Sequence, residues 1–160
     1  MKDVIAQVAA ASRRPRTTVM RDEVRFVVVH HSVTPITYKW EQILSIHLHK
    51  GYQSIGYHYV ICGANGEIFK CLPVGPPPVV GAHVKNENSY AVGICITGNY
   101  EEQFPKTLAI SALCRLWREL RGAFPKAKLV GHREMKKSRT KCPGKYLQRI
   151  VERIREGKQL

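Results

Sequence analysis

Phe26 to Thr34 reads Phe-Val-Val-Val-His-His-Ser-Val-Thr, a β-branched run with no polar alternation that opens into a Ser/Thr/Pro loop. Such continuity predicts a central strand buried on both faces, with His30 where the strand emerges. Tyr90 to Thr97, closed by Gly98-Asn99, predicts a second buried strand, and Lys128 to His132 a short third. Elsewhere the period changes. Trp40, Ile43, Leu44, His47 and Leu48 recur at helical spacing and stop at Gly51; Leu108, Ala112, Leu113, Leu116, Trp117 and Leu120 mark a longer amphipathic helix. Leu147, Ile150, Val151 and Ile154 give a final helix its core face, with Arg149, Glu152 and Arg153 outward. Tyr57–Cys62 and Glu67–Leu72 flank Asn65-Gly66 and predict a β-hairpin, whose alternation puts Tyr57 and Tyr59 on one face and His58 on the other. Pro73 to His83, with three consecutive prolines, predicts a stiff surface loop able to wall a groove.

Strands interleaved with helices of this length predict an α/β fold, a central mixed β-sheet flanked by helices. At the start, Val4, Ile5, Val8 and Ala9 fit one helical face and lead into the basic stretch Arg13-Arg14-Pro15-Arg16. The expected organisation is therefore an N-terminal helical segment and basic linker over residues 1–20, then a single domain over 21–160. With 160 residues such a domain can bury most of the surface its unfolded chain exposes.

Composition narrows the classes. The 26 Lys and Arg against 12 Asp and Glu give +14, which implies a polyanionic partner: nucleic acid, an anionic membrane surface or an anionic wall polymer. The nucleic-acid reading lacks any recognisable binding motif or regular basic and aromatic stripe. No apolar run reaches the roughly 20 residues of a membrane-spanning helix. The stretch from Val4 to Ser12 superficially resembles a short signal core, but Gln7 interrupts it and only Lys2 precedes it, so no signal peptide is expected. The five cysteines are odd in number and lie mostly in apolar runs, which predicts buried reduced thiols and one ligand; a Cys62–Cys71 bridge across the hairpin is the lesser reading.

Candidate chemistry gathers in Gly131–Gly144, Gly-His-Arg-Glu-Met-Lys-Lys-Ser-Arg-Thr-Lys-Cys-Pro-Gly, where His132 and Cys142 stand on one rim after a short strand. A zinc site needs more than two ligands, and His30 at the neighbouring strand end supplies a third. Taken singly, each has a plainer explanation as a structural residue. His47 on its helix reads as a partly buried, hydrogen-bonded histidine, and His83 as either a groove residue or an ordinary loop histidine.

The motifs Val-His-His-Ser-Val-Thr, Ile-Gly-Tyr-His-Tyr, Gly-Ala-His, Val-Gly-Ile-Cys-Ile-Thr-Gly, Gly-His-Arg-Glu and Lys-Cys-Pro-Gly occur in an order that resembles the type 2 N-acetylmuramoyl-L-alanine amidases. That family includes phage lysozyme-type amidases and peptidoglycan recognition proteins, and the resemblance spans about Arg25 to Ile154. It implies a zinc amidase, peptidoglycan recognition protein-like fold in which His30, His132 and Cys142 hold Zn2+ and Tyr57 works beside the metal. Thr140 falls where members carry Lys or Thr, which leaves Thr140 or a nearby lysine, Lys141 or Lys137, to meet the oxyanion. His47 matches a groove-facing helix histidine, and with His83 and Lys141 it is assigned to the substrate groove, while His31 belongs to the opposite face of the strand end. Recycling members of the family carry a glutamate where this chain has Cys95, which points to the lysin or wall-degrading branch. The implied activity is hydrolysis of the amide between N-acetylmuramic acid and L-alanine in peptidoglycan, by a monomer made in the host cytoplasm and released to the wall. The alternative is a non-catalytic peptidoglycan-binding module, a class that typically lacks the cysteine ligand retained here.

Overall fold

In a computed structural model that describes residues 1–20 and 22–159, the chain runs β1 (Lys2–Asp3), α1 (Ile5–Ala11), β2 (Phe26–His31), α2 (Trp40–His49), β3 (Tyr59–Ile61), β4 (Ile68–Lys70), β5 (Ala91–Ile96), α3 (Thr107–Ala123), β6 (Lys128–Gly131) and α4 (Lys145–Arg155), with 3-10 turns at Asn88–Tyr90 and His132–Glu134. The strands form one mixed sheet in the order β1-β4-β3-β5-β2-β6. β3 and β4 pair antiparallel through the Asn65-Gly66 turn, where Gly66 takes φ 72°, and the remaining neighbours are parallel. Parallel partners need long crossovers, which α2, α3 and the loop from residue 71 to 90 provide.

Alternation along β2 decides what each face carries. Val27 and Val29 enter a core with Ile94, Ile96 and Leu129, closed by Leu113, Leu116 and Leu120 of α3 and Leu147 and Val151 of α4. On the other face α1 and α2 cover Val60 and Phe69 with Val4, Val8, Trp40, Ile43 and Leu44. That helical cover ends before β2. There Val28 stands opposite Gly93 and His30 opposite Cys95 on β5, and the smaller cluster of Val84, Val130 and Met135 packs around Val28. The site occupies the part of this face beyond that cluster.

Several expectations change in detail. Leu108 is 59% exposed, because the α3 face that meets the sheet runs through Ala109, Ala112, Leu113, Leu116 and Leu120, one position on. Tyr57 and Tyr59 do not share a face. Tyr57 precedes β3 and packs beside the α2 layer, whereas Tyr59 lies in the α3 core. Between them His58 breaks the strand period. Its main-chain N–H donates to Gly93 O, its Nδ1 accepts the Gly93 N–H, and its Nε2 donates to Val79 O. All five cysteines are free thiols, Cys62 and Cys71 included.

The basic stretch after α1 is tied to the body. Arg14 N donates to Gln53 O, Arg16 Nε to Ile55 O, and Val80 N to Thr18 O. Val4 and Val8 are buried as well. Among the described residues no helix is long and apolar enough to cross a membrane.

His58 makes acid sensitivity part of the fold. Burial pushes its pKa down to about 4 from a usual 6.5, against the Val79 carbonyl, which favours the proton, and with a smaller push from Arg16. Between those values the unfolded chain binds the proton and the folded chain does not. Stability is therefore complete above about pH 6.5 and is lost as pH falls toward about 4, at most about 3 kcal/mol for this one group. Urea midpoints should fall more steeply between pH 7 and 4.5 in the parent protein than in His58→Gln; equal slopes would refute the neutral, doubly bonded ring.

Candidate metal centre and groove

Three separate elements deliver the metal-ligand candidates. His30 is the fifth residue of β2 and is 1% exposed. His132 opens the 3-10 turn after β6, and Glu134 closes that turn: its Oε2 accepts from Gly131 N (2.7 Å) and Gln148 Nε2 (2.8 Å), while Oε1 accepts from Arg155 of α4 (2.7 Å). The His30 and His132 rings lie 4.5 Å apart, centroid to centroid.

Cys142 ends the basic loop. Arg133 N donates to its carbonyl (2.8 Å), and its own N–H donates to Thr140 Oγ1 (3.1 Å). Gly144, at φ 90°, lets the chain turn into α4 flush against the Tyr100 backbone, where a Cβ would collide. The outcome is one donor atom each from His30, His132 and Cys142, all within 4.8 Å of one another; Cys142 Sγ lies 3.6 Å from His30 Nδ1.

The protonation states suit a cation. Burial, then the neighbouring His83 and His132, holds His30 well below 6.5, and burial lowers His132 too. Both imidazoles are therefore neutral and carry lone pairs. Burial pushes the Cys142 thiol up to about 11, opposed by the His31 backbone N–H and by Arg133. A divalent ion would displace that proton. Two neutral imidazoles and one soft sulfur make a donor set that zinc takes, and three protein ligands are the number that catalytic zinc sites use.

Around this cluster lies a cavity of about 710 Å³. Tyr57 stands beside the candidate ligand His30, its ring 5.1 Å from that of His30 and 5.2 Å from that of His47. Burial keeps its phenol well above 10, with the neighbouring Cys95 and Cys142 adding to the shift, so it is a neutral donor. His47 accepts the Gly56 N–H on Nδ1 (2.9 Å), which leaves the Nε2 hydrogen unused by that bond; burial lowers its pKa to about 4. Thr140 lines the cavity and its hydroxyl accepts from Cys142 N, so its hydrogen is free to donate. His83 lies on the floor with Nδ1 3.0 Å from His30 Nε2 and Nε2 3.0 Å from Ala91 O.

Lys141 is not among the residues lining the cavity; its carbonyl accepts from the Arg133 side chain. The cations at the rim are Lys50, Lys85, Lys137 and Arg139, and no Asp or Glu is among the described residues that line it. His31, expected on the opposite face, also lines the cavity, and its Nδ1 accepts from Tyr100 N (3.1 Å). Sequence reasoning did not single out Val33, which lines the mouth, 60% exposed, at φ 54°. Positive φ in a β-branched residue has no sequence signal, and the loop chemistry of Ser32 and Thr34 was the only pointer to a special turn.

A family model described as N-acetylmuramoyl-L-alanine amidase matches residues 20–145. A peptidoglycan-recognition protein of Drosophila simulans is 30% identical over 143 residues, 83% of this chain and 75% of the fly protein. The endolysin of Enterobacteria phage K11 is 34% identical over 116 residues, 69% of this chain and 72% of the phage protein. Among solved structures, the Ph2119 endolysin from a Thermus scotoductus bacteriophage superposes with a TM-score of 0.78 at 25% identity, covering 98% of both chains. The α/β sheet described above is thus the fold shared by peptidoglycan recognition proteins and amidase endolysins. With the family model covering most of the chain, from just before β2 to the first residue of α4, the protein belongs to the N-acetylmuramoyl-L-alanine amidase family.

Proposed function

We propose that this chain is a zinc-dependent amidase that cuts the bond between N-acetylmuramic acid and L-alanine in peptidoglycan, as an endolysin acting on the wall after release from the host cytoplasm. The observation that carries the reading is the convergence of His30, His132 and Cys142 within 4.8 Å at the head of a groove that no carboxylate lines. A glycosidase needs a pair of carboxyl groups about the scissile bond, and this groove offers none among its described lining residues. The retained thiol separates it from binding modules that have lost a ligand.

The chemistry that zinc supplies in such a site is Lewis acidity toward a carbonyl oxygen and activation of water near neutral pH. The chain's own groups do the rest. His30 and His132 remain neutral because burial penalises their cations, so their lone pairs stay available. Tyr57 keeps its hydrogen at any physiological pH and donates it toward the oxyanion that forms at the amide carbon. Thr140 offers a second hydroxyl from the groove lining, held in place by the Cys142 N–H. His47 presents its Nε2 hydrogen from α2, fixed by the Gly56 bond. The rim lysines and Arg139 attract an anionic polymer, in keeping with the +14 charge.

Purified protein should contain one zinc per chain, and Cys142→Ala should lose it. Since the thiol proton must leave on binding, zinc affinity should rise about tenfold per pH unit across the neutral range, where Cys142 with a pKa of about 11 is otherwise protonated. Competition titrations at three pH values test this, and a flat response would show that Cys142 is not a ligand.

Digests of peptidoglycan should gain free N-terminal alanine and no reducing ends, and chelation should stop the release. Binding to peptidoglycan without release would favour the recognition-module alternative. Tyr57→Phe should retain its zinc and lose about 10²–10³-fold in turnover, the usual cost of one oxyanion donor. Wild-type turnover in that variant would remove Tyr57 from the mechanism.

Wall association should weaken as salt rises toward and beyond physiological strength, where the Debye length is about 8 Å. Pull-down on purified walls measures it, and salt-independent retention would show that the basic surface does not hold the wall.

A further inference from the structure

The groove wall was the expected place for His83, yet both of its ring nitrogens are taken by the protein. The Ala91 carbonyl can only accept, so His83 Nε2, 3.0 Å away, carries the hydrogen. In the neutral ring Nδ1 is then a bare acceptor, and His30 Nε2, 3.0 Å from it, must be the donor. A neutral His30 with its hydrogen on Nε2 has its lone pair on Nδ1, which is the nitrogen 3.6 Å from Cys142 Sγ. One backbone carbonyl on β5 thus sets, through two rings, which nitrogen of His30 faces the ligand cluster.

The surroundings make this arrangement a built one. A Cβ on Gly93 would stand 2.7 Å from His83 Cγ and Cδ2, and one on Gly81 2.9 Å from Cδ2, so two glycines leave the slot the ring fills. The His58 ring packs edge-on at 5.7 Å, and Asn88 Oδ1 accepts from both His83 N (2.8 Å) and Val84 N (2.9 Å). A histidine merely filling a loop would not need both nitrogens engaged and its main chain pinned.

We infer that His83 is a positioning residue for the metal centre, holding His30 in the tautomer and ring plane that aim Nδ1 at the ion. The inference rests on the zinc-binding reading above, and its test reads metal binding without reference to catalysis. Zinc affinity is measured on the full chain by competition with a chromophoric chelator, alongside the absorption spectrum of the Co2+-loaded protein. His83→Ala should bind zinc about 10- to 100-fold more weakly, as loss of a group that orients a metal ligand typically does, with shifted Co2+ d–d bands and the thiolate charge-transfer band retained. His83→Asn, whose carboxamide oxygen can accept from His30 Nε2, should recover the larger part of that loss. Gly93→Ala, which keeps the histidine but fills its slot, should weaken zinc in the same direction and serves if His83→Ala does not fold. A folded His83→Ala or Gly93→Ala protein within about twofold of wild-type affinity and with an unchanged Co2+ spectrum would overturn the inference while leaving the zinc reading intact. An Asn variant as weak as the Ala variant would remove the acceptor role. A wild-type protein that binds no zinc would remove both.

Discussion

The parallel register of β2 between β5 and β6 is the constraint on which the site depends. It sets His30 against Cys95 on one side and brings the end of β6, and so His132, level with the end of β2 on the other. Because side chains alternate with period two, slipping β2 by one residue would send His30 into the α3 and α4 core and bring Val29 to the groove. The apolar run Val27-Val28-Val29 forbids the slip energetically. Val27 and Val29 fill the larger core, Val28 fills the smaller, and all three are fully buried. Packing of hydrocarbon thereby fixes the position of an imidazole.

The two faces of the sheet are covered unequally, and that asymmetry makes room for chemistry. α3 and α4 span one face, while on the other α1 and α2 cover only the half toward β3 and β4. The short edge strand β1 and the residues after α1 belong to that half, bound through Val4 N to Lys70 O and Arg14 N to Gln53 O. Over β2 and β5 the cover is instead a loop carrying His83 and a turn carrying His132. Loops can bring polar atoms close to a sheet without the obligatory apolar stripe of a helix, so the dry interior meets polar groups there. Burial in that boundary layer keeps the histidines neutral and the Cys142 thiol protonated until a cation repays their desolvation.

Much of this was legible in the sequence because the determining residues are local. The β2 run, the α2 and α4 faces and the hairpin turn each state their period within about ten residues. The trio was legible as candidates standing at strand ends and was joined by the motif string, since no periodicity relates His30 to Cys142 across 112 positions. What stayed hidden depends on tertiary contacts. Tyr57 departs from strand alternation because His58 spends both ring nitrogens on Gly93 and Val79, a pairing with no local signature. Lys141 is adjacent to Cys142 in sequence and yet absent from the groove lining, while its carbonyl accepts from the Arg133 side chain. His83 was assigned to the right cavity, but its direction follows from two glycines that read, in sequence, as ordinary strand and loop residues.

The loop between His132 and Cys142 illustrates how a basic, otherwise unstructured segment can hold a ligand. It is anchored at both ends and, between them, by buried Met135 and by Lys137 N, which donates to Glu87 (3.4 Å). At one end Glu134 ties β6 to α4 through Gly131, Gln148 and Arg155; at the other, Gly144 lies on the Tyr100 backbone while Lys145 N donates to Glu101 (2.9 Å). Arg133 reaches across the loop to the Lys141 carbonyl and toward Glu101 (3.6 Å). With the loop so held, Lys137 and Arg139 can repel one another at the groove rim without moving the sulfur. A positive rim and a cluster proposed to hold a cation are electrostatically opposed, and the thiol reconciles them, since it is the one donor of the three that would become an anion on binding a metal.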